Sequence, residues 1–328
     1  MESILDWGLA VVSAVQGWGG WLEAPMKFFS FLGTEDFFML VLPVLFWCVD
    51  VRLGIQVGFI LLISATTNHA FKMAFQGPRP YWYSQSIRAY AAETSFGIPS
   101  GHAQTAASVW GMVAAGLKRG WAWAAAGALV FLIGLSRLYL GVHFPHDVLL
   151  GWLIGALLLW LMLRLWNPAA AWLKRLGPAG QILAGLLGSL ILILPNVLIF
   201  AWRAPGFVLP QTWLENAAAA RPGEALPLPY SLEGAVSNAG TLFGLAVGLV
   251  WLRQMGGFEM KAPAWKLVLR YLVGVAGVLV IRYGLKAVFP EGETLVAYLF
   301  RYLRYALIGA WVSGGAPWAF LRLRLATR

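Results

Sequence analysis

Three short clusters in this chain gather the polar side chains that can handle a charged group. Lys72 stands seven residues before Arg79-Pro80, Pro99-Ser100-Gly101-His102 follows, and Ser136-Arg137 precedes His143 and Asp147. Together they supply two histidines, three fixed cations, two serine hydroxyls and a carboxylate. That set suits phosphoryl chemistry: cations and backbone N–H groups hold charged oxygens, one histidine attacks or donates a proton, and a carboxylate orients it.

Each cluster implies its own geometry. If a helix ran from Lys72 to Arg79 the two would share a face, but Gly77-Pro78 and Pro80 end it between them. A helix-end lysine and an arginine on a rigid turn then aim into one pocket, unless both snorkel to lipid headgroups. In the second cluster Ser100 caps an apolar helix, whose free N–H groups make an anion site. His102 sits in the first turn. The plainer alternative is an ordinary capped helix with an interfacial histidine. In the third, the i, i+4 spacing puts His143 and Asp147 on one face. There the carboxylate fixes the imidazole tautomer, or else the pair merely locks the helix. His146 is expected to face elsewhere and to take no part. Three such clusters on three helix ends are improbable as independent accidents, and ionisable groups inside a membrane are functional suspects by default.

The elements that position them must be membrane helices. Of 328 residues, 60% are hydrophobic and 12% charged, against about 25% charged in a soluble domain. Charge-free runs such as 182–199 approach the roughly 20 residues that cross a bilayer. The spacing predicts an all-α, polytopic bundle with nine spanning helices near 34–50, 52–76, 99–117, 120–141, 145–166, 180–202, 234–253, 265–288 and 296–321. Residues 4–22, with Trp7, Trp18 and Trp21, read as an interfacial amphipathic helix rather than a tenth span. Residues 204–230, which hold five prolines, read as an ordered or semi-extended external loop.

Basic residues orient the bundle. Arg52, Lys118, Arg119, Arg164, Lys174, Arg175, Arg253, Lys261, Lys266, Arg270, Arg322, Arg324 and Arg328 fall on one face with only Asp50 and Glu259, a net +11, which leaves −1 for the other face. The first face is then cytoplasmic and the three clusters open outward. The net charge of +10 follows from this topology and does not call for a nucleic-acid partner. The start Met-Glu-Ser lacks the basic opening of a signal peptide, and the lone Cys48 can form no intramolecular disulfide.

In order and in spacing the three clusters resemble the motifs of the type 2 phosphatidic acid phosphatase superfamily, over roughly residues 35–165. Arg79-Pro80-Tyr81-Trp82, Glu93-Thr94, Leu135-Ser136-Arg137 and His143-Phe144-Pro145-His146 are most similar to the glucose-6-phosphatase branch. Asp147 departs from that branch, which carries an amide there, and matches the lipid phosphatases. The resemblance implies a phosphatase that works through a phosphohistidine. His143 would attack, Asp147 would orient it and His102 would protonate the leaving oxygen. Lys72, Arg79, Ser100, the Gly101 amide and Arg137 would hold the phosphate oxygens, with neither a cofactor nor a metal required.

Three regions follow: an N-terminal interfacial segment 1–33, a phosphatase core 34–166, and a C-terminal transmembrane region 167–328. Glu233, Arg282, Lys286, Arg301 and Arg304 lie near the same outer face, where they could line a substrate pocket, pair with one another or snorkel. The first expectation is a lipid phosphate or diphosphate substrate (prenyl, glycero- or sphingolipid). The alternatives are a sugar phosphate and, last, a non-enzymatic lipid transporter or scaffold. The expected setting is a bacterial inner membrane with the site toward the periplasm or exterior and the C-terminus cytoplasmic.

Overall fold

A computed structural model describes residues 2–328, with no strand among them. The helices are α1 Glu2–Gln16, α2 Glu23–Phe31, α3 Glu35–Val44, α4 Val51–Phe75, α5 Pro80–Tyr83, α6 Gly101–Leu117, α7 Gly120–Tyr139 and α8 Pro145–Arg175. They continue as α9 Pro178–Arg203, α10 Gln211–Ala220, α11 Glu233–Gln254, α12 Ala264–Lys286, α13 Leu295–Ala310 and α14 Ala316–Arg322.

Seven helical segments among the described residues are long and apolar enough to cross a membrane, or up to eight if a bent pair counts as one span. That pair, Gly20–Phe31 with Glu35–Val49, turns by 52°, so the span expected at 34–50 is one arm of a broken helix. Pro43 lies inside α3, and a widened π-helical turn Leu45–Val49 follows it, as expected where proline removes a backbone donor. The helix expected at 99–117 forms as α6. Its 17 residues span about 25 Å, slightly less than a bilayer core.

The chain divides into two compact units. The first comprises Met1–Phe38, Thr67–Leu161 and Asn196–Ser231 and contains all three clusters. Its core gathers Val15, Met26, Tyr81, Trp82, Phe96, Tyr139, Leu140, Val142 and Ala217. The expected interfacial helix therefore has a face packed on protein: α1 buries Val12 and Val15, and Gln16 Nε2 donates to Arg88 O at 2.7 Å and Tyr139 O at 2.9 Å. Residues 204–230, expected to be an ordered or semi-extended external loop, are ordered and contain α10. Ala217 of α10 is buried, Asn216 Nδ2 donates to Trp82 O at 2.9 Å, and Leu228 N–H donates to Thr94 O at 2.9 Å. This loop thus braces the turns that carry the first cluster.

The second unit comprises Met39–Thr66, Met162–Pro195 and Leu232–Arg328. Within it, Ser189 and Tyr302 hydroxyls share a 2.6 Å hydrogen bond. Arg270 is fully buried and donates to the Leu325 carbonyl from Nε at 3.2 Å and Nη2 at 3.0 Å. A guanidinium can be buried there because backbone carbonyls accept its donors.

Candidate active site

The apolar helix α4 delivers Lys72 in its last turn, buried, and its ammonium donates to Ser95 Oγ at 2.9 Å and Phe96 O at 2.8 Å. The helix then ends, and Arg79 sits in extended conformation before the single turn α5, which Pro80 opens. Arg79 is fully buried. Its Nε donates to Ser95 O at 2.7 Å, its Nη2 to Ser95 Oγ at 3.1 Å and Phe96 O at 3.2 Å, and its Nη1 to Val142 O at 2.9 Å. Lys72 and Arg79 therefore converge on one segment, as their spacing predicts, and snorkelling is not their arrangement.

Ser100 caps α6, its hydroxyl accepting from Ala103 N–H at 3.4 Å. The cap uses a lone pair and leaves the O–H free to donate. Asn68, one turn before Lys72, holds this segment: its Nδ2 donates to Pro99 O at 3.3 Å and Gln104 Oε1 at 2.9 Å. The Ser100 N–H also donates to the Asp147 carbonyl at 2.9 Å, which ties the second cluster to the third. The same two helices meet closely at Gly151 of α8, where an added Cβ would lie 2.6 Å from Ser100 O. His102 is partly exposed in the first turn of α6.

Arg137 ends α7, buried, and donates to Ser30 Oγ and Glu93 Oε1. Ser136 Oγ is spent inside its own helix, donating to Ile133 O at 2.6 Å. Gly141 then turns the chain at φ +73°, with the Arg88 carbonyl 2.4 Å from where a Cβ would stand. That tight turn returns the backbone so that Val142 and His143 N–H both donate to Arg137 O at 3.3 Å.

His143 and Asp147 are both buried. His143 Nδ1 is 3.2 Å from Asp147 Oδ2, which also accepts the Phe144 N–H at 2.9 Å. His143 Nε2 faces the opposite way, 3.2 Å from Arg79 Nη1. Burial, reinforced by the positive charges of Arg79, Lys72 and Arg137, holds the His143 imidazole well below its ordinary pKa. The ring is therefore neutral at pH 7, with Nδ1–H directed at Asp147 and the Nε2 lone pair directed at the cations. His146, expected to face away, turns toward Asp147 instead. Its Nε2 lies 3.3 Å from Asp147 Oδ1, and its ring stacks on Phe144 with centroids 5.3 Å apart.

Sequence reasoning gave Glu93 no role in the site, yet its carboxylate joins the two arginines. One oxygen meets Arg137 Nη2, and the other lies 3.5 Å from Arg79 Nη2. Burial alone would raise its pKa, but Arg79 and Arg137 pull it well below the usual carboxylate range. Ser95, Asn68 and Ser30 are the other contributors without a sequence signal, since a lone serine or asparagine in a loop or helix has no distinguishing pattern. Among the described residues, no group of three or more His, Cys, Asp or Glu is placed to hold a metal ion.

Three of the five expected pocket residues of the second unit, Glu233, Lys286 and Arg301, form ion pairs. Arg301 meets Glu233 at 2.6 Å and Ser237 Oγ at 3.3 Å, and Lys286 meets Glu291 at 3.5 Å. Arg282 lies against Met39 Sδ at 3.3 Å, and buried Arg304 has its guanidinium 5.5 Å from the Tyr305 ring centroid.

Known proteins resemble this chain at the level of family. Residues 53–170 match the PAP2 superfamily, and residues 236–328 match the PAP2 superfamily phosphatase transmembrane extension. Glucose-6-phosphatase 3 of Bos taurus is 30% identical over 97% of this chain and 95% of its own length. Phosphatidylglycerophosphatase B of Bacillus subtilis is 28% identical over 43% of this chain and 74% of its own length. Among solved structures, the crystal structure of the first transmembrane PAP2 type phosphatidylglycerolphosphate phosphatase from Bacillus subtilis covers 48% of this chain and 86% of that one, at 25% identity and a TM-score of 0.43.

Proposed function

This chain belongs to the PAP2 superfamily of membrane phosphatases, which are phosphoric ester hydrolases, and from that premise we propose that it cleaves a phosphate monoester through a phosphohistidine on His143. The observation that carries the reading is the two-ended hold on that ring. Asp147 fixes Nδ1, and Nε2 points at Arg79.

In the proposed reaction the phosphoryl oxygens lie among Lys72, Arg79 and Arg137, with the Ser100 hydroxyl and Gly101 N–H as further donors. Charge spread over those oxygens is what such a site must stabilise, and the fixed cations do so without a metal. His143 Nε2 attacks phosphorus and the phosphorus–oxygen ester bond breaks. The leaving oxygen takes a proton from His102. The ring becomes positively charged as the nitrogen–phosphorus bond forms, and Asp147 offsets that charge. Water then attacks the phosphohistidine, its proton passes to His102, and inorganic phosphate leaves as Nε2 is restored.

For the substrate we put a sugar phosphate first. Its support is the likeness to a glucose-6-phosphatase along nearly the whole of both chains, C-terminal extension included. A lipid phosphate or diphosphate is the second reading, favoured by Asp147, which the resemblance assigns to lipid phosphatases, and by a site at the ends of membrane helices. In either case the charge asymmetry supports a site on the non-cytoplasmic side. Phosphate release by the purified protein from glucose 6-phosphate, phosphatidic acid and a prenyl diphosphate separates the two readings. Turnover of the sugar ester alone supports the first, turnover of the lipids alone overturns it in favour of the second, and release from none of the three defeats both.

A further inference from the structure

We propose that Glu93 is an affinity-setting residue, an internal carboxylate that occupies the arginine pair between turnovers and competes with phosphate for it. This inference rests on the phosphate-binding reading of the site. The carboxylate bridges Arg79 and Arg137, one oxygen to each guanidinium. A phosphoryl group would compete for the same two cations, because guanidinium groups suit carboxylate and phosphate alike. Both ligands cannot be held there together.

The surroundings fit a side chain that moves on a fixed backbone. Tyr81 clamps the main chain of Glu93: its hydroxyl donates to Glu93 O at 3.0 Å and accepts from Glu93 N–H at 3.0 Å. The adjoining carbonyls of Ser95 and Phe96 are held by Arg79 and Lys72. By contrast, the Glu93 side chain is 26% exposed, whereas those of Arg79 and Arg137 are at 0% and 2%. A rotation of the side chain toward solvent frees Arg137 Nη2 and removes the counter-charge beside Arg79 while the loop stays in place.

The charge balance supplies the reason for such a device. Lys72, Arg79 and Arg137 are three buried cations facing a neutral His143, with Asp147 committed to the ring and the Phe144 N–H. An unopposed cluster of that kind would keep the product as tightly as it takes the substrate, and uniform binding of this sort does not speed turnover. A returning carboxylate replaces the departing phosphate ion and shields the arginines from one another.

The test uses the full chain in detergent, with inorganic phosphate as the probe, read as product-inhibition constant and as phosphate-dependent thermal shift. Glu93→Gln keeps the shape and removes the charge. It should bind phosphate roughly tenfold more tightly than wild type, the scale of one charge-assisted pair discounted for partial exposure. Should Glu93→Gln fail to fold, Glu93→Asp serves: one methylene shorter, it cannot span both guanidinium groups and should also bind phosphate more tightly. A purely structural role for Glu93 lowers thermal stability but gives no gain in phosphate affinity. Equal or weaker phosphate binding by the folded variants overturns the proposal. Phosphate binding by neither wild type nor variants overturns instead the phosphate-site reading beneath it.

Discussion

Replacing Asp147 by asparagine separates the charge of this carboxylate from its geometry. Asp147 Oδ2 accepts both the His143 ring and the Phe144 N–H, while Oδ1 lies 3.3 Å from His146 Nε2. An asparagine must present its oxygen to the Phe144 N–H, so that oxygen still receives His143 Nδ1–H. Its NH2 group then faces His146 Nε2, which can accept. Ring orientation and tautomer survive and the negative charge is lost. At the observed 3.2 Å, two unit charges interact by about 5 kcal/mol at an effective dielectric of about 20. Only the part of the ring charge developed in the transition state counts, and an amide oxygen retains some attraction. The expected loss is about 2–3 kcal/mol, or roughly 30- to 150-fold in kcat, with KM little changed. Phosphate release under saturating substrate measures it. A loss beyond about 10⁴-fold would mean that the tautomer was lost, and a loss below about threefold would mean that the carboxylate charge plays no part. Either result refutes the reasoning.

Three further outcomes follow from the same geometry. Gly141→Ala places a side chain at φ +73° against the Arg88 carbonyl, costing about 2 kcal/mol or more; a melting temperature and activity equal to wild type would contradict it. Because His143 is neutral when folded and takes up a proton near pH 6.5 when unfolded, its stability contribution is complete above that pH. That contribution is lost as pH falls toward the folded value, at up to about 1.4 kcal/mol per pH unit. Thermal melts between about pH 5 and 6.5 should slope accordingly, and His143→Asn should flatten the slope; an unchanged slope would count against a buried neutral ring. Activity should persist in excess chelator, and a loss that magnesium restores would refute metal-independent chemistry.

The sequence made the chemical groups and the helical spans legible because both leave short-range signatures. Lys72 with Arg79, Ser100 as a cap and His143 with Asp147 depend on spacings of a few residues, and the structure keeps all three relations. Contacts across long separations left no such trace. Glu93 reaches Arg137 across 44 residues and Asn68 reaches Gln104 across 36. His146 turns toward Asp147, against expectation, because a proline-opened first turn lets neighbouring residues reach the same carboxylate. The helix in residues 204–230 was hidden among prolines, although Gln211–Ala220 contains none and four consecutive alanines favour helix. In the second unit, Arg301 pairs with Glu233, and charge type alone did not show which partner the arginine takes.

Trapping the adduct shows whether His143 carries the phosphoryl group. The purified protein would be mixed with a substrate labelled in its phosphoryl group, quenched in alkali, where phosphohistidine survives, and digested for mass spectrometry. Label is expected on His143 Nε2, forming within one turnover, disappearing on acid treatment and absent from His143→Ala, which should also release no phosphate. Continued phosphate release by His143→Ala, or label confined to another residue in wild type, would contradict it.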